Sequence, residues 1–121
     1  MKALLSIKPE FAEAIFTGKK KFEYRKVNFK KDIKTIQVYV TKPVGKIIGE
    51  FEIKRIIKDE PHSLWNKTYK YSGINEDFYV AYFEDKKIAY AIEIENVRRY
   101  DKPLNPYLNK DFRAPQSFKY I

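Results

Sequence analysis

Gly18-Lys19-Lys20-Lys21-Phe22-Glu23-Tyr24-Arg25 constrains the fold of this 121-residue chain more than any other stretch. A glycine ends a short amphipathic segment, and a strand-like run follows it with no spacer. Ahead of the glycine, Phe11, Ala12, Ile15 and Phe16 recur at helical spacing. Pro9 suits a first helical turn, where its missing N–H has no partner to lose. Gly18 suits the left-handed residue that closes a helix. With Ala3–Ile7 reading as a strand, the chain opens as strand, helix, tight turn and charged strand, the last over roughly Lys20–Lys26.

A basic loop follows over Asn28–Lys34. Ile36, Val38 and Val40 then alternate with Gln37 and Tyr39, a strand with one buried face. Lys42-Pro43-Val44-Gly45 is a turn, and a long strand runs from about Lys46 to Lys58. Gly49 marks a bulge or bend in it, which would let Ile47, Phe51, Ile53 and Ile57 share a face. Pro61–Lys70 reads as a helix with Leu64, Trp65 and Thr68 on one side. Asn75 can cap another helix, with Glu76 and Asp77 in its first turn and Phe78, Tyr79, Tyr82 and Phe83 as its apolar stripe. The strand expected over Lys87–Arg98 sets Ile88, Tyr90, Ile92 and Ile94 against Ala89, Ala91, Glu93 and Glu95. Pro103 and Pro106 break the tail before a last strand at Ser117–Tyr120. This order predicts an α+β fold, mainly β: one domain over residues 1–121, its curved antiparallel sheet closing into a small barrel with helices at the open ends.

The charged strand also carries a resemblance. Written G-x-K-x-x-E-x-R, it resembles the signature of the ASCH domain, a PUA-like β-barrel family tied to RNA. The likeness begins at Leu5-Ser6-Ile7-Lys8-Pro9 and resumes at Ala114-Pro115-Gln116-Ser117-Phe118, so it spans most of the chain. It implies the same barrel, reached here by a second route.

The charge is +9 overall, and residues 1–34 hold ten Lys or Arg against four acids. A basic end on a small domain favours a polyanion over a merely solvated lysine-rich surface. With no cysteine, disulfides, thiolate nucleophiles and Cys-based zinc sites are excluded; with His62 the only histidine, so are the HExxH zinc pattern and any two-histidine ribonuclease. His62 reads as an ordinary polar residue at a helix start. No metal site and no cofactor is expected. The apolar run Ala3-Leu4-Leu5 is too short for a signal-peptide core, and a cytoplasmic protein without membrane contact is expected.

Three elements can carry chemistry. The turn from the first strand into the helix offers free N–H groups with Ser6 and Lys8 beside them, an anion site or a plain strand-to-helix turn. On the charged strand, alternation groups Lys21 with Glu23 and Arg25, whereas the family motif groups Lys20 with them. The two agree only if the chain is still turning at Lys20, so Lys21 remains an alternative. Such a trio can bind a base edge or phosphate, hold a lysine for acid–base work, or be a structural ion-pair network. Gln116 and Ser117 lie in a turn just before the last strand, where the amide of Gln116 offers a donor and an acceptor in one plane. Trp65 suits packing, while Tyr69 and Tyr71 are open as stacking surfaces.

Some ASCH-like proteins are amidohydrolases acting on acylated cytidine, with a lysine at the Lys20 position and a threonine nucleophile where this chain has Glu23. That branch also places a carboxylate ahead of a later helix, where this chain has Tyr71-Ser72-Gly73 and only then Glu76. Both departures count against that activity. The leading expectation is a binding module for RNA or a modified nucleotide, with Ser6, Lys8, Lys20, Glu23, Arg25, Gln116 and Ser117 as ligand contacts. The alternative is an enzyme, a hydrolase of modified nucleosides or a ribonuclease, in which Lys20 and Glu23 would be catalytic. A regulator working through protein contacts is disfavoured by the charge, and the sequence names no protein partner.

Overall fold

Alternating strands and short helices assemble into an α+β fold, a six-stranded sheet curled into a half-barrel with three α-helices. The computed structural model describes the whole chain, Met1–Ile121. The strands are β1 (Lys2–Ile7), β2 (Phe22–Arg25), β3 (Thr35–Val40), β4 (Lys46–Asp59), β5 (Ala89–Leu104) and β6 (Phe118–Tyr120). The helices are α1 (Pro9–Phe16), α2 (Pro61–Thr68) and α3 (Glu76–Tyr82). Across the sheet the order is β2-β5-β4-β3-β1-β6. No helix is long and apolar enough to cross a membrane.

Local chemistry accounts for the helix ends. Pro9 opens α1, and Gly18 sits at φ +83 just beyond it. The Glu60 carboxylate accepts from the N–H groups of His62 and Ser63 at the start of α2, and Asn75 Oδ1 accepts from Phe78 N at the start of α3. Each bond satisfies an N–H that the helix cannot.

Not every pairing is antiparallel. β1 runs parallel to β3, with Ala3 opposite Ile36 and Ile7 opposite Val40. α1, β2 and the basic loop lie between them, enough chain to return to the same end of the sheet before β3 begins. The curl also stops short of closure. β2 has four residues and β6 three, too few to zip along a shared seam, so each remains an edge strand.

β5 differs from its expected form at both ends. It starts at Ala89, leaving Ile88 exposed, and continues through Pro103 to Leu104 rather than stopping near Arg98. Proline is tolerated there because it lies close to the strand end. Its faces do not divide into one apolar and one polar side either. Ala89 and Ala91 are buried under α2 and α3 with Phe22, Tyr24, Leu64, Tyr79 and Phe83, while Ile92 and Ile94 enter the main core. That core lies inside the curl, where Ala12 and Ile15 of α1 pack against Ala3, Leu5, Ile36, Val38 and Phe51.

β4 is likewise shared among clusters. Phe51 and Ile53 join the main core, Ile47 lies with Leu4 and Tyr39 beneath the tail, and Ile57 packs toward the helices. Its register against β5 shifts between Ile47 and Gly49, between Glu50 and Glu52 and between Ile53 and Arg55, and these irregularities turn successive parts of the strand toward different clusters. A side chain at Gly49 would meet the Arg98 carbonyl at 2.5 Å and the Phe16 ring at 2.6 Å.

Candidate functional site

The seam that the sheet leaves open is a cavity of about 480 Å3. Ser6 and Lys8 reach it from the end of β1, and Glu23 and Arg25 from β2. Gln116 and Ser117 reach it from the tail, and Lys20 from the turn between α1 and β2. All seven residues singled out as ligand contacts therefore line one concavity.

Lys20 resolves the competition with its neighbour. The N–H groups of Lys19 and Lys20 both bond the Ala14 carbonyl, so the chain is still turning there and β2 begins only at Phe22. The turn aims Lys20 inward, where only 2% of it is exposed. Lys21 points out, with its ammonium 4.5 Å from the Tyr71 ring centroid.

Lys20 Nζ donates to the Ser72 carbonyl at 2.6 Å and lies 3.7 Å from Glu23 Oε1. It also sits 5.0 Å from the centroid of Tyr24 and 5.6 Å from that of Phe11. Burial strips the ammonium of water and lowers its pKa; Glu23 pulls the other way, and Arg25 adds to the lowering. Gly73 makes the burial possible. It sits at φ +68, and a Cβ there would lie 2.5 Å from Lys20 Cβ and 2.7 Å from Cγ. The loop thus needs glycine both for its backbone conformation and to let the lysine stem pass.

Arg25 ties the two edges together. Its Nη2 donates to Glu23 Oε2 at 2.8 Å and to the Ser6 carbonyl at 3.4 Å, and Nη1 donates to Ser117 Oγ at 2.9 Å. Its Nε is buried without a partner. The Ser6 hydroxyl is already engaged, donating to the Pro115 carbonyl at 2.6 Å, so it holds the tail turn in place. Lys8 and Lys26 carry their charges at the cavity wall, over the rings of Phe78 and Tyr82.

Sequence reasoning missed the apolar half of the cavity: Phe11, Ile74, Phe78 and Tyr82. Phe78 and Tyr82 read as one apolar stripe with Tyr79 and Phe83, yet only the latter two are buried in the core. Their signal was the width of the stripe, more aromatic surface than a seven-residue helix needs for docking. Tyr69 and Tyr71 lie outside the cavity, half exposed in a 3-10 turn after α2, and Trp65 packs on Tyr79 with ring centroids 4.6 Å apart. Glu76 lies outside the cavity as well. No three His, Cys, Asp or Glu side chains are grouped as metal coordination requires.

Residues 5–98 match the ASCH domain family. The chain is 29% identical over 127 residues to an ASCH domain-containing ribonuclease from Zymomonas mobilis, an alignment covering 98% of this chain and 83% of that protein. The crystal structure of ASCH from Zymomonas mobilis superposes with a TM-score of 0.90 at 29% identity, covering 99% of this chain and 87% of that one. A further relative is the ATP synthase subunit alpha of Ureaplasma parvum, 32% identical over 98% of this chain. This chain spans only 15% of that protein's length.

Proposed function

The chain belongs to the ASCH domain family, and we propose that it acts on RNA as a ribonuclease whose chemistry takes place in the cavity between β2 and the tail. The observation that carries the reading is the buried Lys20, its pKa lowered, held against Glu23 in a cavity that also presents Arg25, Lys8 and Lys26. The Zymomonas relative, a protein named as a ribonuclease, supports an enzyme over the purely binding role that residue chemistry first suggested.

RNA supplies its own nucleophile, so the protein needs none. The 2′-hydroxyl attacks the adjacent phosphorus, a 2′,3′-cyclic phosphate forms, and the 5′-oxygen of the next nucleotide leaves with a proton. Lys20 is the proton-transfer group, since a lowered pKa brings an amine toward the range where it exchanges protons near neutrality. Glu23 holds Lys20 and Arg25 in register. The cations offset the charge that develops on the phosphoryl oxygens.

The test uses end-labelled single-stranded RNA, the matching DNA without 2′-hydroxyls, and a chelator arm to detect a divalent ion. Cleavage of RNA alone, ending in cyclic phosphate and falling about 100-fold or more in Lys20→Ala, is expected. Binding to uncleavable 2′-O-methyl RNA should weaken with salt by a log–log slope of roughly −0.7 per phosphate contacted. Intact RNA, or cleavage unchanged in Lys20→Ala, overturns the reading. The cavity's volume, about 480 Å3, also suits a single modified nucleotide bound without chemistry. Saturable nucleotide binding with no RNA cleavage would decide for that second reading.

A further inference from the structure

α3 separates the cavity from a second concavity. Phe78 and Tyr82 line the cavity, whereas Tyr79, Val80 and Phe83 line a cleft of about 380 Å3 whose other side is Pro61 and Trp65 of α2. Tyr79 and Phe83 are buried and form the floor. The Tyr79 hydroxyl donates to the Pro61 carbonyl at 2.7 Å, which ties the two helices together across the cleft. Trp65 is half-buried, packed on Tyr79, and Val80 is left 61% exposed.

Three carboxylates stand at the rim: Glu60 from the residue before α2, Glu76 from the first turn of α3, and Glu84 two residues beyond its end. Lys86 is the one lysine or arginine beside them. The chain's ion pairs engage Glu13, Glu23, Glu50, Asp59 and Glu93, and none of the three rim acids. In a chain with 25 Lys or Arg against 16 Asp or Glu, unpaired acids gathered in one place call for a reason. Helix chemistry supplies one for two of them, since Glu60 caps α2 and an acid in the first turn of α3 suits its dipole. It supplies none for Glu84, and none for the tryptophan beside them.

Trp65 lacks a partner as well. Ten aromatic rings of this chain have one of its own lysines or arginines over them, Phe11, Tyr71 and Tyr107 among them. Trp65, the single tryptophan and the ring type that attracts cations most strongly, is not one of the ten. An indole and unpaired carboxylates together suit a guanidinium, which is planar, stacks on aromatic faces and bonds a carboxylate through paired N–H groups. A free small cation would use one carboxylate and leave two idle. Several charges spaced along a chain would use all three.

We propose that the cleft between α2 and α3 docks an arginine-rich segment of a basic partner protein, with one arginine stacked on Trp65 and its neighbours paired with Glu60, Glu76 and Glu84. The proposal is independent of the RNA reading, since no residue of the cleft lines the cavity. It gives a chain of charge +9, which repels basic proteins over most of its surface, one place that holds them.

Because Trp65 is the only tryptophan, its fluorescence reports occupancy directly. Titration with a hexa-arginine peptide at low salt should change that emission saturably. Hexa-lysine should bind several-fold more weakly, having no plane to stack, and hexa-glutamate should not bind. With a dye-labelled hexa-arginine read by anisotropy, Trp65→Ala should weaken binding by about 3- to 30-fold, the range for one cation–π contact. Glu84→Arg should weaken it by about fivefold or more, because repulsion replaces attraction. Glu84 is exposed and lies outside the helix, so Glu84→Arg keeps the test sound even if Trp65→Ala fails to fold; thermal melts establish which variants fold. Unchanged Trp65 emission in the hexa-arginine titration overturns the proposal, as does undiminished affinity in folded Glu84→Arg. Sedimentation showing a parent dimer that Glu84→Arg dissolves would assign the cleft to a second copy of this chain and overturn the basic partner.

Discussion

Two trios of polar side chains, Lys20–Glu23–Arg25 at the cavity and Asp59–Ser63–Lys67 beside α2, are built from similar groups and live under opposite conditions. At the second, Asp59 Oδ2 accepts from Lys67 Nζ and from Ser63 Oγ, each at 2.7 Å, and Oδ1 accepts from Glu60 N at 2.8 Å. These bonds, the one from Lys67 first, pull the carboxyl down to about 2. Lys67 remains well exposed, so water shares the load. At the cavity, Lys20 is buried with its pKa lowered in spite of Glu23, and Arg25 Nε has no partner. The exposed trio is satisfied and closes a helix start. The buried one holds charges where they are unfavourable and leaves a donor unused, which makes it the candidate for a working site.

The largest effect should come from breaking the buried trio. Glu23 is 8% exposed, so Glu23→Gln strands two cations out of water and should destabilise the fold by about 3–5 kcal/mol in denaturant titrations. Had these charges lain in water, the loss would be about 1 kcal/mol or less, and a value that small would erase the contrast between the trios.

Next in size is Lys20→Met, which removes a buried charge while filling its space. The variant keeps the Arg25–Glu23 pair but takes the donor from the Ser72 carbonyl, and should be less stable than the parent at neutral pH by about 1–3 kcal/mol, while RNA cleavage is lost. The pH dependence gives the sign. The folded pKa of Lys20 lies below its ordinary 10.5, so between the two values the unfolded chain binds more protons. The parent therefore gains stability as pH rises through that window, and the variant should lack this gain. Parallel stability curves for the two proteins over that window would count against a depressed Lys20.

Smallest of all should be Lys67→Ala at the exposed trio, with a melting midpoint inside the scatter of replicate measurements at neutral pH. Asp59 offers an acid-side check. Its depressed pKa contributes stability that is complete above 3.8 and lost as pH falls through about 2. Lys67→Ala should move that loss to higher pH. A neutral-pH effect as large as that of Glu23→Gln would make the two trios alike.

How much of this was legible in the sequence follows from the range of the forces involved. Helix starts at Pro9, Pro61 and Asn75 and the stop at Gly18 rest on neighbours a few positions apart, and they were readable. The alternation in β3 was readable because it is a strong local pattern. β5 was less so, because helices cover the outer face of its first half and alternation carries no information where both faces are buried. The parallel pairing of β1 with β3 and the open seam depend on where distant strands meet. Within the site, the charged motif announced Lys20, Glu23 and Arg25, but inward aim was assigned to Lys20 over Lys21 only by the turn after α1. Phe78 and Tyr82 stayed hidden because a helical stripe does not say which aromatic residues face a core and which face a cavity.

Gly73 and Lys20 lie far apart in the chain and contend for one volume, since any side chain at the first would stand where the stem of the second passes. They are therefore one unit of construction. A designer moving Lys20, Glu23 and Arg25 onto another curled sheet would transplant the charges without their seat, and the lysine would swing out into water and regain an ordinary amine's basicity. The glycine has to travel with them.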